Sequence, residues 1–320
     1  MTTAPSTSVS TQPLRWGVLG ARSRIYAKAL EPAFQQSDRH QVIAGASRDA
    51  DGGTAPYDRL LARGDVDAIY IPLPNIDHKT WILRSLAAGK HVLCEKPLTL
   101  NPADTDEVFA AAQAADLVLL EAYMWPHHAR SRRTLELCAS GELGSMRSTH
   151  SVFSFPFDRV DDHRLDRRGA GALFDVGIYC LAPAMMIAGR DALRSAASAV
   201  RNDVGVDVSM SGWVDWGEGF TSTFEVSFDG PNHRRLDVTG TAGMLTVPDW
   251  HAPGPIGPTT LGRVDRLGME TSESMVATDA YEDMIDHFAD VVAGETAPVF
   301  GAAESGRLAR VLDMVHASAP

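Results

Sequence analysis

The chain is poor in cysteine, with three in 320 residues at Cys94, Cys138 and Cys180. They are far apart and set in apolar sequence, which suits buried free thiols in a reducing compartment better than a disulfide framework. Basic residues are also in deficit: 29 Lys and Arg stand against 41 Asp and Glu, a formal net charge of −12 at pH 7. Nucleic acid and anionic membranes both call for the opposite surplus, so neither is an expected partner. No His, Cys, Asp or Glu set has metal-ligand spacing and no Gly-x-Ser-x-Gly elbow occurs, which argues against a metal site and a serine hydrolase. Long apolar runs and a signal-peptide pattern are missing as well. Met1 to Gln12 is Ser/Thr-rich with no basic start, and reads as a loose tail on a cytoplasmic protein.

What is present is a regular rhythm followed by a different one. From Leu14 to Ala122 apolar strands alternate with helical stretches: strands at Arg15 to Gly20, Gln41 to Ala46, Asp67 to Leu73, His91 to Glu95 and Leu117 to Ala122. That alternation predicts a parallel, doubly wound sheet of the α/β class. After Trp125 the period becomes two. Phe220, Ser222, Phe224, Val226 and Phe228 are set against Thr221, Thr223, Glu225 and Ser227, the pattern of strands with one wet face. Similar runs at Met146 to Phe157, Ser195 to Asn202, Val206 to Trp216 and Arg234 to Val247 predict an α+β unit on a largely antiparallel sheet. His251 to Gly268, rich in Pro and Gly, reads as a loop. Helices at Ala280 to Ala293 and Ala303 to Ala317 close the chain. The expected division is a tail (1–12), a dinucleotide-binding unit (13–125) and a second unit (126–320) for substrate and subunit pairing.

Five blocks carry a specific likeness: Gly17-Val18-Leu19-Gly20, Gly64 to Pro72, Ala88-Gly89-Lys90-His91-Val92-Leu93-Cys94-Glu95-Lys96-Pro97, Gly171 to Tyr179, and Gly240 to Pro248. In this order the chain resembles the Gfo/Idh/MocA oxidoreductases over nearly its whole length. Within that family the Asp161-Asp162-His163-Arg164-Leu165-Asp166 segment and the Tyr179-Cys180 pair look most like D-xylose dehydrogenases, glucose-fructose oxidoreductase and dimeric dihydrodiol dehydrogenases, with sugar 3-ketoreductases next. The resemblance implies a Rossmann domain, an open-sheet second domain that pairs subunits into a homodimer, and hydride transfer to or from a sugar or polyol. Its departures are Arg22, where a second glycine belongs, and Asp49 to Pro56, too short for the usual crossover helix.

The dinucleotide site is expected at Gly20, Ala21 and Arg22, since a phosphate-binding turn needs close backbone approach at a helix start. Arg22 and Arg24 either meet phosphate or are solvated. At the end of the second strand stand Ser47 and Arg48 where a carboxylate would select NAD. A hydroxyl and a guanidinium favour the 2′-phosphate of NADP, with NAD the lesser expectation. Asp49 either pairs with Arg48 or serves the ribose. Leu73, Asn75 and His78 resemble the loop beside nicotinamide, and Glu95 and Lys96 end the fourth strand.

A dehydrogenase also needs a positioned acid/base. Tyr179 and Asp175 are four apart, one face of a helix. The plainer alternative is an Asp capping the helix and a Tyr bonded in the core. A free Tyr, with a pKa of about 10, needs a nearby ammonium to act as a base, and the resemblance places Lys96 there. It assigns Tyr179 as acid/base, Lys96 as its electrostatic partner and Asp175 as a substrate acceptor. Arg164, His163 and His128, the last beside His127, are expected to touch substrate. A catalytically silent NADP sensor and a nucleotide-sugar 3-ketoreductase are the alternatives.

Overall fold

Trp16, Val18 and Leu19 are fully buried because the strand that holds them, β1 (Leu14–Leu19), is covered on both faces. Around it lie β2 (His40–Ala46), β3 (Ala68–Ile71), β4 (His91–Glu95) and β5 (Leu119–Ala122) in the all-parallel order β2-β1-β3-β4-β5. The computed structural model describes residues 12–157, 162–166, 168–169, 171–249, 258–276 and 278–320. Most of the Met1 to Gln12 tail, Asp161 and the first part of the expected loop from His251 lie outside the described residues.

The first crossover covers one face of the sheet and the three later ones share the other. A π-helical turn (Tyr26–Leu30) leads into α1 (Glu31–Gln36), α2 (Ala55–Leu61) has only seven residues, and α3 (His78–Ala87) and α4 (Pro102–Ala114) follow. The start of α4 shows the local logic: Asn101 accepts from the Asp104 amide at 2.9 Å while Pro102 occupies the first turn, where no N–H is needed. Tyr57 of α2 stands edge-on to Trp81 of α3 at 4.8 Å, and these two rings anchor the shortened crossover.

After α5 (Ala129–Ala139) comes the second sheet, with β6 (Met146–Ser154) near its centre. A second π-helical turn (Leu173–Gly177) continues into α6 (Ile178–Ala188). The remaining strands are β7 (Arg194–Arg201), β8 (Asp207–Gly217), β9 (Phe220–Ser227), β10 (His233–Gly240), β11 (Gly243–Pro248), β12 (Pro258–Asp265) and β13 (Glu270–Val276). Their order is β13-β12-β11-β10-β6-β9-β8-β7, antiparallel throughout except for β6 with β9. The period-two reading of β9 matches its burial as far as Val226: Phe220, Ser222, Phe224 and Val226 are buried and Thr221, Thr223 and Glu225 are exposed, but Ser227, expected on the wet face, is buried as well. Of the final helices, α7 (Ala280–Val292) packs back on the first sheet, with Phe288 5.0 Å from Trp16, while α8 (Ala302–Ser318) lies against α4, α6 and β7, so one core joins both sheets.

Two expectations need correction. Arg234 to Val247 is two strands, because Thr241 and Ala242 turn the chain between β10 and β11. Residues from Pro258 onward form a strand rather than a loop: Thr259 and Leu261 alternate inward and β12 pairs with both β11 and β13. Gly262 sits opposite Thr246 within that ladder. No helix among the described residues is long and apolar enough to cross a membrane.

Candidate active site

Five parallel strands direct their carboxyl ends toward the π-helical turn before α6, and between them lies a cleft of about 590 Å³. Its position follows the rule that open α/β sheets bind ligands beyond the strand ends where crossovers diverge. Gly20 closes β1 with φ of +100°, and a Cβ there would stand 3.0 Å from Leu73 Cδ2 and 3.2 Å from the Pro72 carbonyl. That cradle leaves backbone open to a ligand that only glycine admits. The Gly20 and Ala21 amides both donate to Ala46 O, at 2.8 and 2.9 Å. Ala21 packs toward Gly45 and does not line the cleft, which corrects its expected role. Arg22 and Arg24 do line it, and among the described residues neither is in an ion pair.

Ser47, Arg48 and Asp49 follow β2 along the same wall. Asp49 is in no ion pair with Arg48; its carboxylate accepts from the Gly53 amide, closing its own turn. Arg48 instead pairs with Asp77 at 2.5 Å. Leu73 and Asn75 line the cleft after β3, and Asn75 Nδ2 donates to Gly169 O at 2.9 Å, joining this loop to the second layer. His78 is a correction. It is fully buried, with Nδ1 2.9 Å from Pro97 O and Nε2 2.8 Å from Leu73 O, so it ties two strand-end loops together and does not line the cleft.

At the end of β4, Glu95 is buried, accepts from Tyr70 Oη at 2.7 Å, and has its pKa raised by that burial. Lys96 extends across the cleft. Its Nζ donates to Asp175 O at 2.6 Å and to Asp175 Oδ1 at 3.0 Å, while Arg164 Nε meets the other carboxylate oxygen at 3.0 Å. Burial opposes ionisation of Asp175, but Lys96 and Arg164 outweigh it and hold the carboxyl below its ordinary value. Arg164 also pairs with Asp162 at 3.0 Å, and His163 Nδ1 lies 3.3 Å from the same carboxylate. Burial and Arg164 keep the His163 pKa low.

Asp175 lies in the π-helical turn and Tyr179 in the first turn of α6, and both face the cleft. The turn is anchored by Asp207, whose Oδ2 accepts from the Leu173 amide at 2.7 Å, and by Gly171, where a Cβ would come within 2.3 Å of Asp207 Oδ1. Lys96 Nζ sits 5.1 Å from the Tyr179 ring centroid, and Phe153 and Tyr123 flank the ring at 5.5 and 5.6 Å. The expected drop in the tyrosine pKa is not seen. Burial, with Glu95 and Asp175 adding to it, raises the phenol well above 10, because Lys96 is engaged by Asp175 and only Arg164 acts the other way.

His128 is also corrected: it is buried as the cap of α5, accepting from the Arg130 amide at 3.1 Å, and lies outside the cleft. His127 packs on His287 at 5.0 Å, its pKa lowered to about 3 by burial. Sequence reading missed Tyr281, which reaches the cleft from the start of α7 about a hundred residues after Tyr179, and Tyr57 and Asp162 on its walls. It also missed Glu121, buried behind Lys96, whose carboxylate accepts from the Leu98 amide at 3.0 Å and whose pKa is raised by burial to about 7. None of these carries a local pattern.

Comparison with known proteins agrees with this geometry. A Gfo/Idh/MocA family model described as an oxidoreductase family with an NAD-binding Rossmann fold matches residues 14–123, and a Gfo/Idh/MocA C-terminal domain model matches residues 131–246. The chain is 35% identical to D-xylose 1-dehydrogenase (NADP(+)) 2 of Haloferax volcanii over 96% of this chain and 97% of that protein. It is 34% identical to a dTDP-3,4-didehydro-2,6-dideoxy-alpha-D-glucose 3-reductase of Streptomyces violaceoruber over 93% and 92%. Among solved structures, a 3-ketoreductase from Actinomadura kijaniata in complex with NADP and TDP-benzene superposes with a TM-score of 0.86 at 29% identity, covering 96% of this chain and 98% of that one. The doubly wound sheet, its glycine turn and the five sequence blocks therefore have one common origin: this chain belongs to the Gfo/Idh/MocA family of oxidoreductases.

Proposed function

We propose that the chain is an NADP-dependent oxidoreductase acting on a CH–OH or C=O carbon of a sugar or polyol, of the aldose 1-dehydrogenase kind. The observation that carries this reading is the Lys96–Asp175–Arg164 chain set beneath Tyr179 at the mouth of a glycine-turn cleft. The cleft fits the cofactor on its own terms: Gly20 puts no side chain in the way of a close approach, and Arg22, Arg24, Ser47 and Arg48 present cationic and hydroxyl groups for phosphates. When bound, the nicotinamide supplies or accepts a hydride at C4.

The protein's part is to place and to move a proton. Tyr179 Oη holds its proton in the free protein, since burial raises its pKa, and donates it to the carbonyl oxygen as that carbon is reduced. In the oxidative direction Tyr179 first gives up its proton to solvent, with the Lys96 ammonium stabilising the phenolate, and that phenolate oxygen then takes the proton of the alcohol. Asp175 holds Lys96 and Arg164 at fixed distances, and its remaining lone pairs can accept from a substrate hydroxyl. Aromatic packing from Phe153 and Tyr123 keeps the tyrosine ring in place.

Charge favours a sugar without phosphate groups. Lys96 and Arg164, the cations on the substrate side, are both committed to Asp175, and Arg164 also to Asp162, which leaves neither free for a diphosphate. A nucleotide-sugar 3-ketoreductase is the second reading, supported by the similarity to such reductases. A silent sensor has no use for an acid/base tyrosine beside an ammonium. The same reading gives the open face of the C-terminal sheet to a second copy of this chain: Trp213, Thr223 and His150 are adjacent across three strands and exposed. Sedimentation at 34.4 kDa, the mass of one chain, would remove that pairing.

The test is turnover of NADP⁺ and NAD⁺ with a panel of aldoses, and of NADPH with keto sugars, for the protein and Tyr179→Phe. Loss of general acid/base assistance is worth roughly 10²–10⁴-fold. Aldose oxidation that survives the substitution undamaged refutes the assignment, and turnover confined to nucleotide keto sugars moves the protein to the second reading.

A further inference from the structure

The ion pair between Arg48 and Asp77 takes no part in the chemistry above, yet its guanidinium belongs to a residue that lines the cofactor side of the cleft. Arg48 follows β2 and Asp77 lies in the short turn Asn75–Asp77 after β3. Because β1 runs between those two strands, the pair links the loops on either side of the Gly20 turn. Arg48 donates to Asp77 Oδ2 at 2.5 Å, and the two side chains are 43% and 27% exposed.

No other carboxylate shares this guanidinium among the described residues. The sequence neighbour Asp49 is turned onto Gly53. Tyr57, buried against Trp81, lies close enough to feel the Arg48 charge and fixes the inner wall. Arg48 is thus an electrostatic resource with one resident anion, and the proposed function gives that same guanidinium to the ribose 2′-phosphate.

We propose that Asp77 is a specificity-determining residue for the cofactor: its carboxylate on Arg48 holds down the preference for NADP over NAD. The inference rests on the cofactor reading given above. A phosphate monoester carries close to two negative charges at neutral pH. Five N–H donors allow the guanidinium to serve a carboxylate and a phosphate together, but the two anions then stand about 6 Å apart on one cation. At that separation in water their repulsion is on the order of tenfold in binding constant. A 2′-hydroxyl carries no charge and meets no such opposition. Asp77 therefore acts against one cofactor and leaves the other alone.

The experiment is titration of the whole protein with NADPH and with NADH, read by nicotinamide fluorescence, for the native chain, Asp77→Asn and Arg48→Ala. Asp77→Asn keeps the shape and removes the charge; it should tighten NADPH by about tenfold and leave NADH within about twofold. The gain should shrink at high salt, where exposed charges are screened. Arg48→Ala should weaken NADPH by tenfold or more and spare NADH. If Arg48→Ala leaves NADPH binding unchanged, the NADP reading of this wall fails. If Arg48→Ala weakens NADPH but Asp77→Asn leaves it the same or weakens it, that reading stands and the role of Asp77 is overturned. Asp77→Ser, which also removes the charge and suits a turn, should repeat the sign of Asp77→Asn if the amide disturbs the loop.

Discussion

Asp175→Asn changes one oxygen to an NH₂ group and removes the anion between two cations. In the native chain the side chains of Lys96, Asp175 and Arg164 are 12%, 16% and 29% exposed, and the carboxylate meets each cation at 3.0 Å. Breaking a buried pair costs about 3–5 kcal/mol; allowing for the partial solvent contact of Arg164, the loss here is roughly 2–4 kcal/mol. For a chain of this length that is a fall in melting temperature of roughly 3–6 °C. The sign of the pH dependence follows from the lowered pKa of Asp175, which starts from an ordinary value of 3.8. Its ionised form is favoured by folding, so the stabilisation is fully present above 3.8 and is lost as the pH falls through the depressed folded value. Melting curves of both proteins from neutral to acid pH should show the native advantage closing on the acid side. A gap that stays constant across that range, or an Asn variant as stable as the native chain at neutral pH, would refute the view that this carboxylate is held ionised by its two partners. Lys96 should keep its bond to the Asp175 carbonyl, at 2.6 Å in the native chain, so turnover should fall without loss of cofactor affinity.

Gly20→Ala places a Cβ 3.2 Å from Pro72 O at φ of +100°; strain of about 1–3 kcal/mol is expected, seen as a lower melting temperature and weaker NADPH binding, and unchanged values for both would show that the turn tolerates a side chain. Asp207→Ala removes the acceptor of the Leu173 amide and leaves a buried N–H without a partner at a cost of about 1–3 kcal/mol. Asp207→Asn retains an acceptor and should recover most of the loss in denaturant unfolding; equal losses in the two variants would mean that the bond to Leu173 contributes nothing.

Local pattern made the first sheet legible, because each buried strand is a short apolar run and the turn after it is marked by Gly20, by Pro74 or by Glu95-Lys96-Pro97. Locality shows only that Lys96 ends a strand and that Asp175 and Tyr179 lie four apart across a helix start; it was the family resemblance that set the three together. The failures begin where direction matters more than position. His78 and His128 follow the cleft-lining residues Asn75 and Ala122 by three and six positions, yet each begins a helix and points inward, one between the Leu73 and Pro97 carbonyls and the other onto the Arg130 amide. Nothing in the string marks that choice, since a helix-start histidine can cap, pack or face a ligand. Tyr281 and Asp77 were missed for the complementary reason. Each looks ordinary where it stands and acquires its role from a residue far away in sequence, Tyr281 by facing the cleft beside Tyr179 and Asp77 by reaching Arg48 across the end of β1. The protonation of Tyr179 was beyond local reading as well. Counting nearby charges predicts a lowered pKa beside Lys96, but enclosure by Phe153, Tyr123 and the rest of the core is a tertiary quantity, and with Lys96 already bound to Asp175 it decides the sign. The site thus holds its tyrosine protonated until something displaces that balance, and a ligand that draws Lys96 from Asp175 toward the Tyr179 oxygen is the change that would do so.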